Sequence, residues 1–251
     1  MSAFWNNHMD KVLLVTGGSS DVGIELIKEI HTEYKLIYIQ YFHMSEKLKK
    51  LVDEIKDSVE TVLIQSDFSD IDSIHSLINT IKEKGVIPNN IVHLPYPKAY
   101  NMQFHKDSWE KYDLGWEVSV HSIVEILKEF IPFMSKQKYG RIVFMLTNYT
   151  IKPVKFQSSY ITVKYALLGL MKSISVEYAD KGITVNGVSP DMMETKFLSE
   201  IPELIIEQNA ANSPLGRNIK VEEVIPVFKE MLFDEEGVKT GLNIAVNGEE
   251  N

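Results

Sequence analysis

KVLLVTGGSSDVG, residues 11–23, decides the fold. KVLLVTG (11–17) reads as a buried strand. From Val22 to Ile30, apolar residues fall at 22, 24, 26, 27 and 30, close to a helical period. The turn between them is glycine-rich. Gly17 can make the tight exit from the strand, and Gly23 lets the helix pack close on the sheet. A helix starting here points free backbone N–H groups at an anion such as a phosphate. Ser19, Ser20, Asp21 and Val22 complete the candidate cradle. Asp21 stands where a glycine is expected. Its carboxylate either caps the helix, folding back onto the amides of 23 or 24, or crowds and repels a pyrophosphate. The capping reading is the one expected here.

The rest of the chain repeats the strand–helix alternation. Strands are expected at 35–42, 61–67, 90–95, 141–146, 182–190 and 243–248. Helices are expected at 45–56, 69–84, about 116–137 with an end near Pro132, 157–180 and 221–233. Segments 96–115 and 191–220 read as irregular, the second interrupted by Pro202 and Pro214. About seven parallel strands with helices on both faces imply an α/β, Rossmann-type doubly wound sheet. Residues 1–251 form one domain in this reading, with a tail at 1–10 and a substrate-loop or lid segment at 191–220.

Composition narrows the function. The chain has 251 residues, a net charge of -9 and no cysteine. The acidic balance argues against nucleic acid, and the lack of cysteine excludes disulfides and thiolate chemistry and fits a cytoplasmic setting. The start, MSAFWNNHMDK, has no apolar core of signal-peptide length, and no apolar run approaches the ~18 residues of a membrane span. No two of the seven histidines have helical ligand spacing, so no metal is expected.

One pair carries chemistry. Among eleven tyrosines only Tyr160 has a lysine four residues on, Lys164. That spacing puts both on one face of the 157–180 helix. A nearby ammonium favours phenolate, which suits a tyrosine to general acid–base work. Thr147 closes the preceding strand with a hydroxyl.

TGGSSDVG, Asp67, GRIVFMLT, SSYITVK, VNGVSPDMMET, PLGR and TGLNIAVNG occur in the order of the short-chain dehydrogenase/reductase family. The chain resembles its 3-oxoacyl-carrier-protein-reductase type from about Lys11 to Gly248. The resemblance implies that Tyr160 moves the substrate proton and that Lys164 binds the nicotinamide ribose and depresses the tyrosine pKa. It implies that Thr147 orients the carbonyl, Asp67 contacts adenine, and Pro190 and Thr195 hold the nicotinamide end, with Asn186 on the strand before them. Asp67 reads equally well as a turn residue beside Ser69. The chain departs from the family pattern at Asp21, at His93-Leu94-Pro95-Tyr96 in place of N-N-A-G, at Ser119 in place of the catalytic asparagine, and at Asp191 after Pro190. His93 and Pro95 would lie near the cofactor.

The second expected strand ends in Gln40, Tyr41, Phe42 and His43, without an acid to bind a ribose 2′-hydroxyl. The expectation is therefore NADP(H), with Tyr41 and His43 nearest its 2′-phosphate and NAD as the other candidate. Met192, Met193, Phe197 and Leu198 would face substrate, or equally serve the core. The expected reaction is hydride transfer between a nicotinamide and a ketone or secondary alcohol, such as a 3-oxoacyl thioester. The rival is a catalytically weak or inactive member acting as a binding or scaffold subunit. Family members often assemble as homotetramers or homodimers through the two long helices.

Overall fold

The computed structural model describes residues 10–249. The tail expected at 1–10 lies outside these residues except for Asp10. Seven strands form one sheet in the order β3-β2-β1-β4-β5-β6-β7, all parallel. They are β1 (Val12–Thr16), β2 (Leu36–Tyr41), β3 (Glu60–Gln65), β4 (Asn90–His93), β5 (Gly140–Met145), β6 (Ile183–Pro190) and β7 (Asn243–Val246). The helices are α1 (Asp21–Ile30), α2 (Glu46–Ile55), α3 (Ile71–Lys84), α4 (Trp109–Trp116), α5 (Ser122–Gln137), α6 (Ser158–Glu177), α7 (Glu203–Asn212) and α8 (Val221–Leu232).

The central strands read as continuous apolar runs because both faces are covered. On β1, Val12 and Leu14 enter one core with α3, α5 and α6. Leu13 and Val15 enter the other, with α1, α2 and α8. The strand period of two thus feeds two layers of helices. Strand order reverses between β1 and β4, and at that switch point a doubly wound sheet opens a crevice beyond its strand ends.

Three local expectations change. Segment 96–115 is not wholly irregular: α4 starts at Trp109 and runs through a π-helical turn (Glu117–His121) into α5. Pro132 does not end α5, which continues to Gln137 and stops at Lys138 in the left-handed region, φ 55°. A proline removes only its own N–H and need not stop the turns that follow. Pro202 likewise sits at the N-cap of α7, where a fixed φ is tolerated, so 191–220 contains a helix.

Candidate active site

The crevice beyond the strand ends has a volume of about 850 Å³. At one end is the turn from β1 to α1. Gly17 adopts φ +70°, and a Cβ on Gly23 would meet the Gly18 Cα at 2.8 Å and the Gly17 carbonyl at 2.9 Å. Both are backbone atoms, so only glycine allows this closure. Gln40, buried at the end of β2, holds the turn. Its Oε1 accepts from the Gly17 amide at 2.7 Å, and its Nε2 donates to the Ser66 carbonyl at 2.8 Å. Spacing gives no sign of this peg, because its two partners lie on two other segments of the chain.

The helix cap is Ser20, not Asp21. The Ser20 hydroxyl accepts from the Gly23 amide at 3.1 Å and donates to the Gly17 carbonyl at 2.7 Å. Asp21 is the first helical residue, and its carboxylate turns outward. One oxygen takes Lys47 Nζ at 2.6 Å, and the other takes the Lys196 backbone amide at 3.1 Å. Burial pushes this carboxyl up, but the bonds from Lys47 and the Lys196 amide outweigh it and hold the group below its ordinary value. Among the described residues, the amides of Ser19, Asp21 and Val22 find no acceptor. Unfilled amides at a helix start, with the adjacent acid already answered by a lysine, suit a pyrophosphate.

Along the crevice, His43 and Asp67 line the wall, whereas Tyr41 does not and packs toward the α1–α2–α8 core. Asp67 also closes a turn, its Oδ1 accepting from the Ser69 amide at 2.9 Å and hydroxyl at 2.7 Å. Pro95 lines the wall, while His93 lies beneath it, 1% exposed. His93 Nε2 meets the Ser119 carbonyl at 2.8 Å, and a carbonyl can only accept, so Nε2 carries the proton. Nδ1 then accepts from the Thr16 hydroxyl at 2.8 Å. Burial drives His93 down to about 3, so the ring is neutral. It is a strut between β1, β4 and the π-helical turn rather than a group facing a cofactor.

Ser119 also takes a different place from the one expected. It is fully buried off the crevice wall, and its hydroxyl donates to the Pro95 carbonyl at 2.8 Å. Asn186 ties β6 to the approach to β7, through the Lys239 carbonyl at 2.7 Å and the Leu242 amide at 2.9 Å.

Thr147, Tyr160, Lys164, Pro190 and Thr195 all line the same crevice. Lys164 is buried and donates to the Met145 carbonyl at 2.8 Å; burial lowers it to about 7. Burial pushes the Tyr160 phenol up to about 12, partly opposed by the Thr147 hydroxyl. Burial thus acts against the depression expected of the tyrosine. Both groups are desolvated, and Lys164 Nζ lies 5.7 Å from the Tyr160 ring centre, directed to a backbone carbonyl. Tyr96 packs edge-on to Tyr160 at 4.8 Å, with Tyr149 and Phe197 at 6.4 and 5.9 Å. Met192, Met193, Phe197 and Leu198 line the same end.

Comparison with known proteins agrees with this layout. A family model described as Enoyl-(Acyl carrier protein) reductase matches residues 26–248. The 3-oxoacyl-[acyl-carrier-protein] reductase FabG of Staphylococcus aureus is 24% identical over 252 residues, covering 96% of this chain and 98% of the relative. The NADPH-dependent pterin aldehyde reductase of Arabidopsis thaliana is 28% identical over 193 residues, covering 75% of this chain and 77% of the relative. Levodione reductase superposes with a TM-score of 0.86 at 20% identity, covering 96% of this chain and 97% of that one. A 3-oxoacyl (acyl-carrier-protein) reductase from Agrobacterium tumefaciens C58, solved with NADP bound, gives 0.84 at 19% identity, covering 96% and 94%. With strand order, glycine turn and the Tyr160–Lys164 pair all in place, the chain belongs to the short-chain dehydrogenase/reductase family of NAD(P)-dependent oxidoreductases.

Proposed function

We propose that this protein is an NADP(H)-dependent reductase of ketones, or dehydrogenase of the matching secondary alcohols, with Tyr160 as its general acid and base. One observation carries the reading: Thr147, Tyr160 and Lys164 line the crevice whose other end is a glycine turn with unfilled amides. The amides of Ser19, Asp21 and Val22 would hold a dinucleotide's pyrophosphate, and Pro190, Thr195 and Lys164 its nicotinamide end. Such a cofactor supplies the hydride. Tyr160 gives its phenolic proton to the carbonyl oxygen as the carbon is reduced, and takes one back in the oxidative direction. Thr147 orients that oxygen. Lys164, with its pKa near neutrality, holds or releases the compensating proton. The NADP(H) preference rests on the lack of an acid at the end of β2 and on the basic side chains nearby. His43 and Lys47 line the crevice there, and spacing alone did not single out Lys47.

The substrate class includes 3-oxoacyl thioesters and related ketones, taken beneath the 191–220 segment. Cytoplasmic residence and a homotetramer or homodimer built through α5 and α6 belong to the same proposal; light scattering tests the assembly. Among the described residues no helix is long and apolar enough to cross a membrane. Ser119's use of its hydroxyl on Pro95 favours the rival, a weak or silent binding subunit. Tyr160→Phe decides. It should abolish turnover of a ketone panel while NADPH still binds by fluorescence titration. Unchanged turnover refutes the role of Tyr160, and failure of the wild type to bind either dinucleotide at millimolar concentration favours the rival.

A further inference from the structure

Gln157 is the N-cap residue of α6, one turn ahead of Tyr160, and lines the same crevice. A side chain at that position usually serves the helix, accepting from an amide of the first turn. Gln157 makes no such bond. Phe156, just before it, is held at φ +67°, a left-handed conformation that a bulky residue adopts only when its surroundings require it. The Phe156 carbonyl is anchored by the Met102 amide at 2.8 Å, which fixes the bend. The result is a glutamine 6% exposed whose carboxamide oxygen is buried without a hydrogen-bond partner among the described residues.

A buried unpaired amide oxygen is costly unless a ligand meets it. The walls nearby are aromatic and apolar: Tyr96, Tyr149 and Phe197 crowd Tyr160, and Met192 lies on the same lining. Lys98, a cation of that lining, is already engaged by Glu200 at 3.1 Å. Lys164 is likewise engaged, by the Met145 carbonyl at 2.8 Å, so neither of these two lysines is free to meet a substrate anion.

Resting on the reductase reading above, we propose that Gln157 recognises the substrate through a second oxygen placed close to the reacting carbonyl of an uncharged compound. A hydroxyl would donate to Oε1. A second oxo group would accept from Nε2 after a half-turn of the amide, which costs little because the two ends are isosteric. Apolar ketones without that oxygen leave the amide unpaired and are disfavoured.

Matched substrates test this in initial-rate kinetics of the full chain with NADPH. Cyclohexanone is the parent, 2-hydroxycyclohexanone the hydroxyl arm, and the N-acetylcysteamine thioester of acetoacetate the oxo arm. The quantity read is the ratio of kcat/KM between wild type and Gln157→Met for each compound. That ratio should be at least about tenfold larger for one oxygenated arm than for cyclohexanone. Gln157→Glu keeps an acceptor and loses the donor. It should preserve the advantage of the hydroxyketone or abolish that of the thioester, which separates the two oxygen types. Equal ratios across all three compounds overturn the proposal, as does failure of both variants to fold, which would make the amide structural. No turnover of any ketone by wild-type protein that binds NADPH removes the reductase reading itself, and this inference with it.

Discussion

Asp21 and Lys47 meet at 2.6 Å across the mouth of the crevice, joining the first turn of α1 to the first turn of α2. The second Asp21 oxygen holds the Lys196 amide, 175 residues away, so a single carboxylate ties the glycine turn to the 191–220 segment. The acid that departs from the family pattern is therefore neutralised before any pyrophosphate arrives, and it occupies the lysine nearest the end of β2.

Replacing Asp21 with asparagine keeps an acceptor for the Lys196 amide and releases Lys47. NADPH should then bind about threefold tighter or more, NADH should change less, and the gain should shrink in high salt because it is electrostatic. Lys47→Ala should act in the opposite sense, weakening NADPH more than NADH. Fluorescence titrations of both dinucleotides at low and high salt give the ratio. If it stays constant in both variants, Lys47 is not at the 2′-phosphate.

Gly23→Ala tests the close approach of α1 to the turn. The added methyl would sit 2.8 Å from the Gly18 Cα and 2.9 Å from the Gly17 carbonyl carbon's oxygen, and neither can swing aside as a side-chain tip can. The variant should lose about 1–3 kcal/mol of stability and most of its dinucleotide affinity. Urea denaturation and titration read the two effects. A stable variant with normal affinity would mean that the turn yields.

The central strands are legible because each is an apolar run buried on both faces, whereas the edge strands β3 and β7 are only partly buried; the glycine turn is legible because its φ and close contacts demand glycine. The helical cap lies one residue before the expected Asp21: Ser20 and Asp21 are both good capping residues, and only the backbone path decides between them. α4 is not legible in the sequence because its large apolar residues Trp109, Leu114 and Trp116 are exposed and give no core-facing stripe. Its inward contact is Gly115, where a Cβ would meet the Tyr96 hydroxyl at 3.1 Å and Val163 at 3.2 Å. Tyr160 and Lys164 were found by spacing along one helix. Lys47, Gln40 and the Asp21–Lys196 bond join distant segments, and no local pattern encodes them.

His93 predicts an acid sensitivity. Its folded pKa, about 3, lies below the ordinary value of 6.5, so between those limits the unfolded chain binds the extra proton. Stability should fall as pH drops from 6.5 toward 3, by at most about 1.4 kcal/mol per pH unit from this group. His93→Asn removes the titration and should flatten that slope, whatever it does to stability at pH 7. Urea midpoints between pH 4 and 7 are the measurement. Parallel slopes in the two proteins would show that the imidazole is not buried in its neutral form.

Lys164 predicts the opposite flank. Its folded pKa of about 7 lies below the ordinary 10.5, and burial is the cause. Between these values the unfolded chain again carries more protons, so the cofactor-free protein should gain stability as pH rises from 7 toward 9.5. Tyr160 stays out of that window, because its folded pKa is raised to about 12 and its effect, a loss of stability, begins only near pH 10. Lys164→Met removes the buried amine and should abolish the rise. At neutral pH the variant should be as stable as wild type or more so, since a desolvated ammonium is replaced by an apolar chain. It should also lose dinucleotide affinity and turnover, which separates the functional cost from the structural gain. Thermal melts of both proteins from pH 6.5 to 9.5 without cofactor decide the matter. A wild type whose melting point is flat across that range would place the Lys164 ammonium in contact with water or an anion instead of in the dry floor of the crevice.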